Sequence, residues 1–296
     1  MNQLLKTQVS DLNYSTNYDE IRIENTNLCG YKCYFCPREE LTRKKGVMPV
    51  EDLVTIINQI GDYRGSVDLH GFGEPLLDTD LPQKIRLIKS KWPHSKTRII
   101  STLGLSLSDE SFKQVVNSGL DTLEVSFYGI DRESYKKSHG VDKFELVRSN
   151  LTLISNLIRE SSSSLEMVVR DLPIINSDSD KRKEIESWLL GLGVNKVSKH
   201  NMHNYGGGRE YNQPPTEGVC SVVWGYRKRV LQVTWDLNII PCCFDSNSTI
   251  IFGNLRESSL EKIFQGKKYI EFINSHKENN LSGYPVCEKC ERCFKP

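Results

Sequence analysis

The chain has 296 residues, 38% hydrophobic and 26% charged, which excludes a disordered chain and allows one large or two modest domains. Lys and Arg total 39 against 38 Asp and Glu, a net charge of +1, so no global basic field exists to hold nucleic acid. No segment approaches the roughly 18 apolar residues of a membrane-crossing helix, and MNQLLKTQVSDLNYS (1–15) lacks the apolar run of a secretion signal, so a cytoplasmic protein is expected.

From residue 20 to 200 the pattern alternates between strand and helix. IRIEN (21–25) places Ile21 and Ile23 on one face of a first strand. Pro49, Glu51 and Asp52 suit the start of a helix that runs to Ile60. Further strands are expected at 66–70, 97–101, 122–127, 165–169 and 194–200, separated by helices at 79–91, 108–118, 143–160 and 179–190. Ser108 is placed to cap the helix at 108–118 and Gly119 to end it, while Gly191 ends the helix at 179–190. Six such repeats predict an α/β fold with a parallel sheet and right-handed crossovers. Six units do not complete an eight-stranded barrel, so a partial (β/α)6 TIM-like barrel is expected, with ligands at the C-terminal ends of its strands. Cys29–Cys36, Gly71–Pro75, Ser101–Gly104 and Ser126 all fall at such ends.

The composition changes after residue 200. HNYGGGREYNQPPTEG (203–218) reads as a long linker or a functional loop over the barrel. Residues 229–235 and 239–244 predict a β-hairpin, and 260–264 and 267–276 predict helices. The expected domains are therefore 1–200, the partial barrel, and 201–296, a small α+β unit. The latter has too few apolar runs for a large core, and a bound metal would explain how it stays folded.

Nine cysteines stand out, an odd number in a chain with no secretion signal, which argues against a disulfide framework. Cys29, Cys33 and Cys36 offer three soft ligands after the first strand. Three thiolates can hold three irons of a cubane and leave the fourth open, whereas structural zinc takes four ligands. These cysteines, with Phe35 immediately before the last, resemble the cluster loop of the radical S-adenosylmethionine (radical SAM) superfamily. That resemblance covers residues 20–200 and implies a 4Fe–4S cluster, SAM bound to its open iron, and a 5′-deoxyadenosyl radical. Gly71-Phe72-Gly73-Glu74-Pro75 resembles the family's glycine–glutamate motif, which implies that Glu74 accepts a hydrogen bond from the SAM ammonium. Thr102 lies in Ser101-Thr102-Leu103-Gly104, at the place of the usual Thr-Asn-Gly, with Leu103 for Asn. Ser126 is similar to a strand-four serine that touches SAM in that family. Arg170 either pairs with a carboxylate inside the barrel or forms a surface salt bridge.

The C-terminal cysteines, Cys220, Cys242, Cys243, Cys287, Cys290 and Cys293, resemble those of the SPASM/Twitch extensions of radical SAM enzymes. They are fewer than a full SPASM domain carries, which favours the shorter Twitch form with one auxiliary 4Fe–4S cluster. Cys220, Cys242, Cys287 and Cys290 make the preferred ligand set, with Cys293 either replacing Cys290 or standing nearby as a free thiol. By spacing alone this set suits zinc equally well. Cys243 adjoins a ligand and need not be one. In epimerases that it resembles, such a cysteine donates a hydrogen atom to the substrate radical; the plainer alternatives are a small buried residue or a ligand. The expected activity is a radical SAM oxidoreductase or epimerase acting on a polar small molecule (sugar, aminocyclitol or nucleoside), and the alternative is modification of a peptide or protein side chain. The expected partners are the small-molecule substrate and a flavodoxin- or ferredoxin-type electron donor, with neither nucleic acid nor a membrane.

Overall fold

The structure, a computed structural model, describes residues 18–171, 178–209, 219–223, 228–291 and 293–294. The N-terminal stretch 1–17 and residues 210–218 of the loop expected after the sixth strand lie outside the described residues.

Strands β1 (Glu20–Ile23), β2 (Ser66–Leu69), β3 (Lys96–Ser101), β4 (Thr122–Ser126), β5 (Glu166–Asp171) and β6 (Lys196–Lys199) lie side by side in chain order, all parallel. Between them run α1 (Val50–Ile60), α2 (Leu81–Lys91), α3 (Asp109–Val116), α4 (Arg132–His139), α5 (Phe144–Glu160) and α6 (Ser179–Gly191). The period-two alternation of each strand sorts its side chains. Ile21, Ile23, Val67, Leu69, Ile99, Leu123, Val125, Met167 and Val169 are buried in the core that also takes in Leu53 and Ile56 of α1, Ile85 and Ile88 of α2, Phe112 of α3, and Leu151 and Ile154 of α5. Each such side chain contributes about 1.5–3 kcal/mol by leaving water. The residues between them, Arg22, Asp68, Arg98, Glu124 and Arg170, share the opposite face.

Helix α4 occupies a stretch expected to be loop. Its sequence, RESYKKSH, has no apolar stripe to reveal it. Its ends carry the signal instead: Asp131 and Ser134 form a reciprocal capping box, and Gly140 closes the helix in the left-handed region at φ 68°.

The C-terminal hairpin does more than form a separate unit. Strands β8 (Val230–Val233) and β9 (Asn238–Ile240) are antiparallel as expected, and β10 (Gly253–Asn254) pairs with β9. Strand β8 also pairs in parallel with β1, Ile21 opposite Leu231, giving one nine-stranded sheet in the order β10-β9-β8-β1-β2-β3-β4-β5-β6. The sheet thus runs through the boundary expected at residue 200, because β1 would otherwise leave one edge of backbone donors and acceptors unpaired. Strand β7 (Val219–Cys220) pairs with β11 (Cys293–Phe294) in a second, two-stranded sheet. Helices α7 (Leu260–Gln265) and α8 (Lys267–Lys277) follow, and Tyr269 and Phe272 of α8 each meet the ring of Phe252, just before β10, edge to face at 5.1 Å. A short α9 (Pro285–Glu288) carries Cys287. No helix among the described residues is long and apolar enough to cross a membrane.

His276 on α8 is 1% exposed, and neither ring nitrogen has a hydrogen-bond partner among the described residues. Burial pushes its pKa down to about 4, so folding holds it neutral while the unfolded chain protonates it below about 6.5. Its share of stability is complete above that value and is lost as pH falls toward 4. His276→Leu is therefore expected to gain about 2 kcal/mol more at pH 5 than at pH 8, as read by urea unfolding at the two pH values.

Candidate functional site

A cavity of about 390 Å³ opens at the C-terminal ends of the strands. Side chains from β1, β3, β5 and β8 (Arg22, Arg98, Arg170 and Gln232) line it together, so the sheet is curved around it. Cys29, Cys33 and Cys36 line the same cavity from the loop after β1.

That loop is held from several sides. Thr26 donates its hydroxyl to Gly46 O (2.8 Å) and accepts from the Leu28 N–H (3.0 Å), and Asn27 reaches Lys44 O (2.9 Å). The Glu74 N–H donates to Leu28 O at 2.7 Å, tying the loop after β2 to it. Gly73 is required at this crossing, since a Cβ there would lie 2.3 Å from Thr26 O. Cys36 N–H donates to Cys33 O at 3.0 Å, closing a tight turn.

The three thiols influence one another. Burial, then the neighbouring Cys36 and Cys29 sulfurs, push the Cys33 thiol well above its usual range. Burial pushes Cys36 up to about 11 and raises Cys29 as well. Such thiols resist ionisation unless a cation sits among them, which is how metal-ligating cysteines behave. Among the described residues no three His, Cys, Asp or Glu side chains converge tightly enough to hold a single metal ion.

Glu74 is 2% exposed and has two donors on each oxygen. Oε1 accepts from Ser101 Oγ (2.6 Å) and Leu76 N (3.2 Å); Oε2 accepts from Thr102 N (2.7 Å) and Thr102 Oγ1 (2.6 Å). The carboxylate expected to face the SAM ammonium thus also staples the end of β3 to the loop after β2. Leu103, standing where Asn is usual, has φ 53°, a left-handed conformation that Asn and Gly tolerate best. Its fully buried side chain and the bond from Asn150 Nδ2 to its carbonyl (2.6 Å) hold it there.

Phe35, Gly71, Gly73, Thr102, Ser126 and Arg170 line the cavity. Pro75 does not: it opens a buried 3-10 turn, and its carbonyl accepts from Asn25 Nδ2 at 3.3 Å. Phe35 packs edge to face on Tyr128 at 5.0 Å, and Ser126 Oγ accepts from the Tyr128 hydroxyl at 3.2 Å. Arg170 pairs with Glu124 inside the barrel, the first of the two expected alternatives. Glu124 also takes Arg98 Nη1 at 2.7 Å, and Arg98 pairs with Asp68. Arg22 pairs with Glu20, and Arg43 with Glu24 at 2.5 Å. His70 also faces the cavity, and burial drives its pKa down to about 3, so it is neutral. Sequence reading passed over Arg22, His70, Arg98 and Gln232, although each sits at a polar position of an alternating strand or directly after one.

The C-terminal cysteines divide. Cys243 lines the cavity with the three cysteines of the first loop. Cys242 feels, after burial, the Cys243, Cys220 and Cys290 sulfurs; Cys287 feels Cys242, Cys220 and Cys290. Burial and these neighbours push both thiols well up, so four sulfurs gather away from the cavity wall. The backbone of Cys293 pairs with that of Cys220, and its side chain lies outside the described residues.

Residues 23–173 match the model of the radical SAM superfamily. The chain belongs to that superfamily. Residues 220–294 match the SPASM iron–sulfur cluster-binding domain. Membership implies a 4Fe–4S cluster and SAM, and the SPASM domain implies auxiliary iron–sulfur; the three-thiol loop and the four gathered sulfurs are donor sets that fit. The chain is 28% identical over 195 residues to a probable GTP 3′,8-cyclase of Saccharolobus islandicus, and 26% identical over 202 residues to one of Metallosphaera sedula. These stretches are 64% and 66% of this chain, and it spans 59% of the length of either relative. Among solved structures, BtrN in complex with AdoMet and 2-DOIA superimposes with a TM-score of 0.62 at 19% identity, covering 93% of this chain and 94% of that one. Streptococcus suis SuiB bound to its precursor peptide SuiA gives 0.67 at 15% identity, covering 97% and 74%. Both likenesses are of fold.

Removing the Glu74 carboxylate leaves Ser101 Oγ, Thr102 N–H and Leu76 N–H without their acceptor. Glu74→Ala is expected to cost at least ~2 kcal/mol in urea unfolding of the cluster-free protein, with Glu74→Gln intermediate.

Proposed function

We propose that this radical SAM enzyme inverts a carbon centre of a hydroxylated, phosphate-free small molecule (a sugar, aminocyclitol or nucleoside), with Cys243 as the hydrogen-atom donor. The observation that carries the reading is that Cys243 lines the cavity shared by Cys29, Cys33 and Cys36, whereas Cys242, Cys220 and Cys287 do not. In this reading Cys29, Cys33 and Cys36 hold the radical cluster, with Gly71, Gly73, Glu74, Thr102, Ser126 and Phe35 around SAM. Cys220, Cys242, Cys287 and Cys290 hold one auxiliary cluster. When bound, the cluster and SAM supply the radical that removes a hydrogen atom from the substrate.

The chain's own residues account for the rest. The Cys243 S–H bond breaks as a C–H bond forms on the substrate radical, leaving a sulfur radical on Cys243. One electron from a flavodoxin- or ferredoxin-type donor and one proton from solvent restore the thiol.

The pairing of the cavity's arginines favours a substrate without phosphate groups. Arg22, Arg38, Arg43, Arg98 and Arg170 each already face a carboxylate, which leaves Lys32 as the one lining Lys or Arg without an ion pair among the described residues. Arg22 Nε, Gln232 Oε1 and His70 Nδ1 have no hydrogen-bond partner among the described residues. These atoms are shut away behind the cavity wall, with Arg22 Nε and His70 Nδ1 3.8 and 3.9 Å from Asp68 Oδ2.

The test is turnover of a panel of aminocyclitols, hexoses and nucleosides in heavy water with SAM and a chemical reductant. The expected product is a stereoisomer carrying one deuterium; a product lighter by two hydrogens would overturn the reading in favour of oxidation. Cys243→Ser is expected to keep its iron and its SAM cleavage while epimer formation is lost. The wild type is expected to hold about eight irons and the Cys29/Cys33/Cys36→Ala protein about four.

A further inference from the structure

His139 is the last residue of α4 and is completely buried. Its ring stacks on Tyr128 (5.1 Å, 5° between planes) and packs against Tyr135 at 4.2 Å and Tyr31 at 5.3 Å. Two contacts fix which nitrogen carries the proton. The Tyr128 backbone N–H, which can only donate, lies 3.2 Å from His139 Nε2. Nε2 must therefore present its lone pair, and the proton of the ring sits on Nδ1. Nδ1 lies 3.4 Å from Cys33 Sγ, within hydrogen-bond reach of sulfur.

The backbone around this contact is tied in the same direction. The Lys32 N–H donates to His139 O (3.1 Å), and the Tyr34 N–H donates to Ser138 O (3.3 Å). The last carbonyls of α4, which have no partner within the helix, thereby grip the cluster loop on both sides of Cys33. Gly140 permits the approach, since a Cβ there would lie 2.4 Å from Lys32 O.

We infer that His139 is a positioning residue for the radical cluster: its Nδ1–H hydrogen bond to the Cys33 sulfur raises the cluster's reduction potential. One-electron reduction adds negative charge to the cysteine sulfurs, so a donor aimed at one of them stabilises the reduced state more than the oxidised state. The surroundings are buried and aromatic, which strengthens the bond relative to one in water. Reduction of the cluster is the step on which SAM cleavage waits, so His139 sets how strong a donor protein the enzyme needs.

The experiment is a redox titration of the reconstituted holoenzyme, following by electron paramagnetic resonance the cluster signal that SAM perturbs. His139→Phe keeps a ring and loses the donor; His139→Asn keeps an N–H at the position of Nδ1. The expected result is a midpoint potential shifted to more negative values in His139→Phe and restored toward wild type in His139→Asn. An unchanged potential in His139→Phe, or equal shifts in both variants, overturns the inference. Should His139→Phe fail to assemble a cluster, wild-type protein grown on nitrogen-15 histidine decides. Pulsed resonance is expected to show a histidine nitrogen coupled to that cluster, absent in His139→Asn, and no coupling in wild type overturns the inference. Because all this rests on Cys33 holding the radical cluster, Cys33→Ala is the control: if the SAM-perturbed signal survives there, the ligand assignment has failed, whatever the His139 variants show.

Discussion

Arg98 donates to Asp68 on one neighbouring strand and to Glu124 on the other, and Arg170 shares Glu124 from the far side. Arg22 continues the row through Glu20. A strand that buries isoleucine and valine on one face must put its other residues on the opposite face. Here those residues are charged, and a charge shut away from water needs a partner. The cross-strand pairs are the solution, and they have a second result: the floor of the cavity is polar, pre-arranged and close to electrically neutral. Asp68 shows the strength of the match: burial works to raise its carboxyl, yet the hydrogen bond and charge of Arg98 and the charge of Arg22 hold it down to about 2.

Above this floor, the loops at the strand ends are fixed by single groups that each serve several neighbours. Glu74 joins the ends of β2 and β3; the Leu28 carbonyl joins the first loop to the second; the end of α4 joins both sides of Cys33. A site that must hold an oxygen-sensitive group in one orientation gains from supports of this kind, because the ligands are set by neighbouring groups whose own positions are already determined.

The six parallel strands, the cysteine loop and the Gly71–Pro75 segment were all legible in the sequence, because each is written locally: alternation in a strand, three cysteines in a turn, glycine beside glutamate. Helix α4 was not, since RESYKKSH has no apolar periodicity and the signal lay in Asp131, Ser134 and Gly140. His139 was missed with it. A lone histidine at a helix end carries no mark of the sulfur it meets, as Cys33 is 106 residues away in the chain. The inward row of Arg22, Arg98 and Arg170 was half visible as polar positions on strands, but which carboxylate each would meet depends on register. Cys243 stood out as a cysteine beside an expected cluster ligand; only the geometry shows it turned toward the cavity.

The pairing of β8 with β1 bears on how the chain comes to be folded at all. The Arg229 N–H reaches the Asp19 carboxylate across 210 residues at 2.8 Å, and the ladder that follows joins the first strand of the barrel to the C-terminal hairpin. During synthesis, β1 is exposed on one flank until that hairpin has left the ribosome. Contacts of such long range form late and slowly. The unpaired flank is a site for mispairing with other chains in the interval. A fragment ending near residue 200 would leave that flank of β1 unpaired and would be a poor stand-in for the barrel.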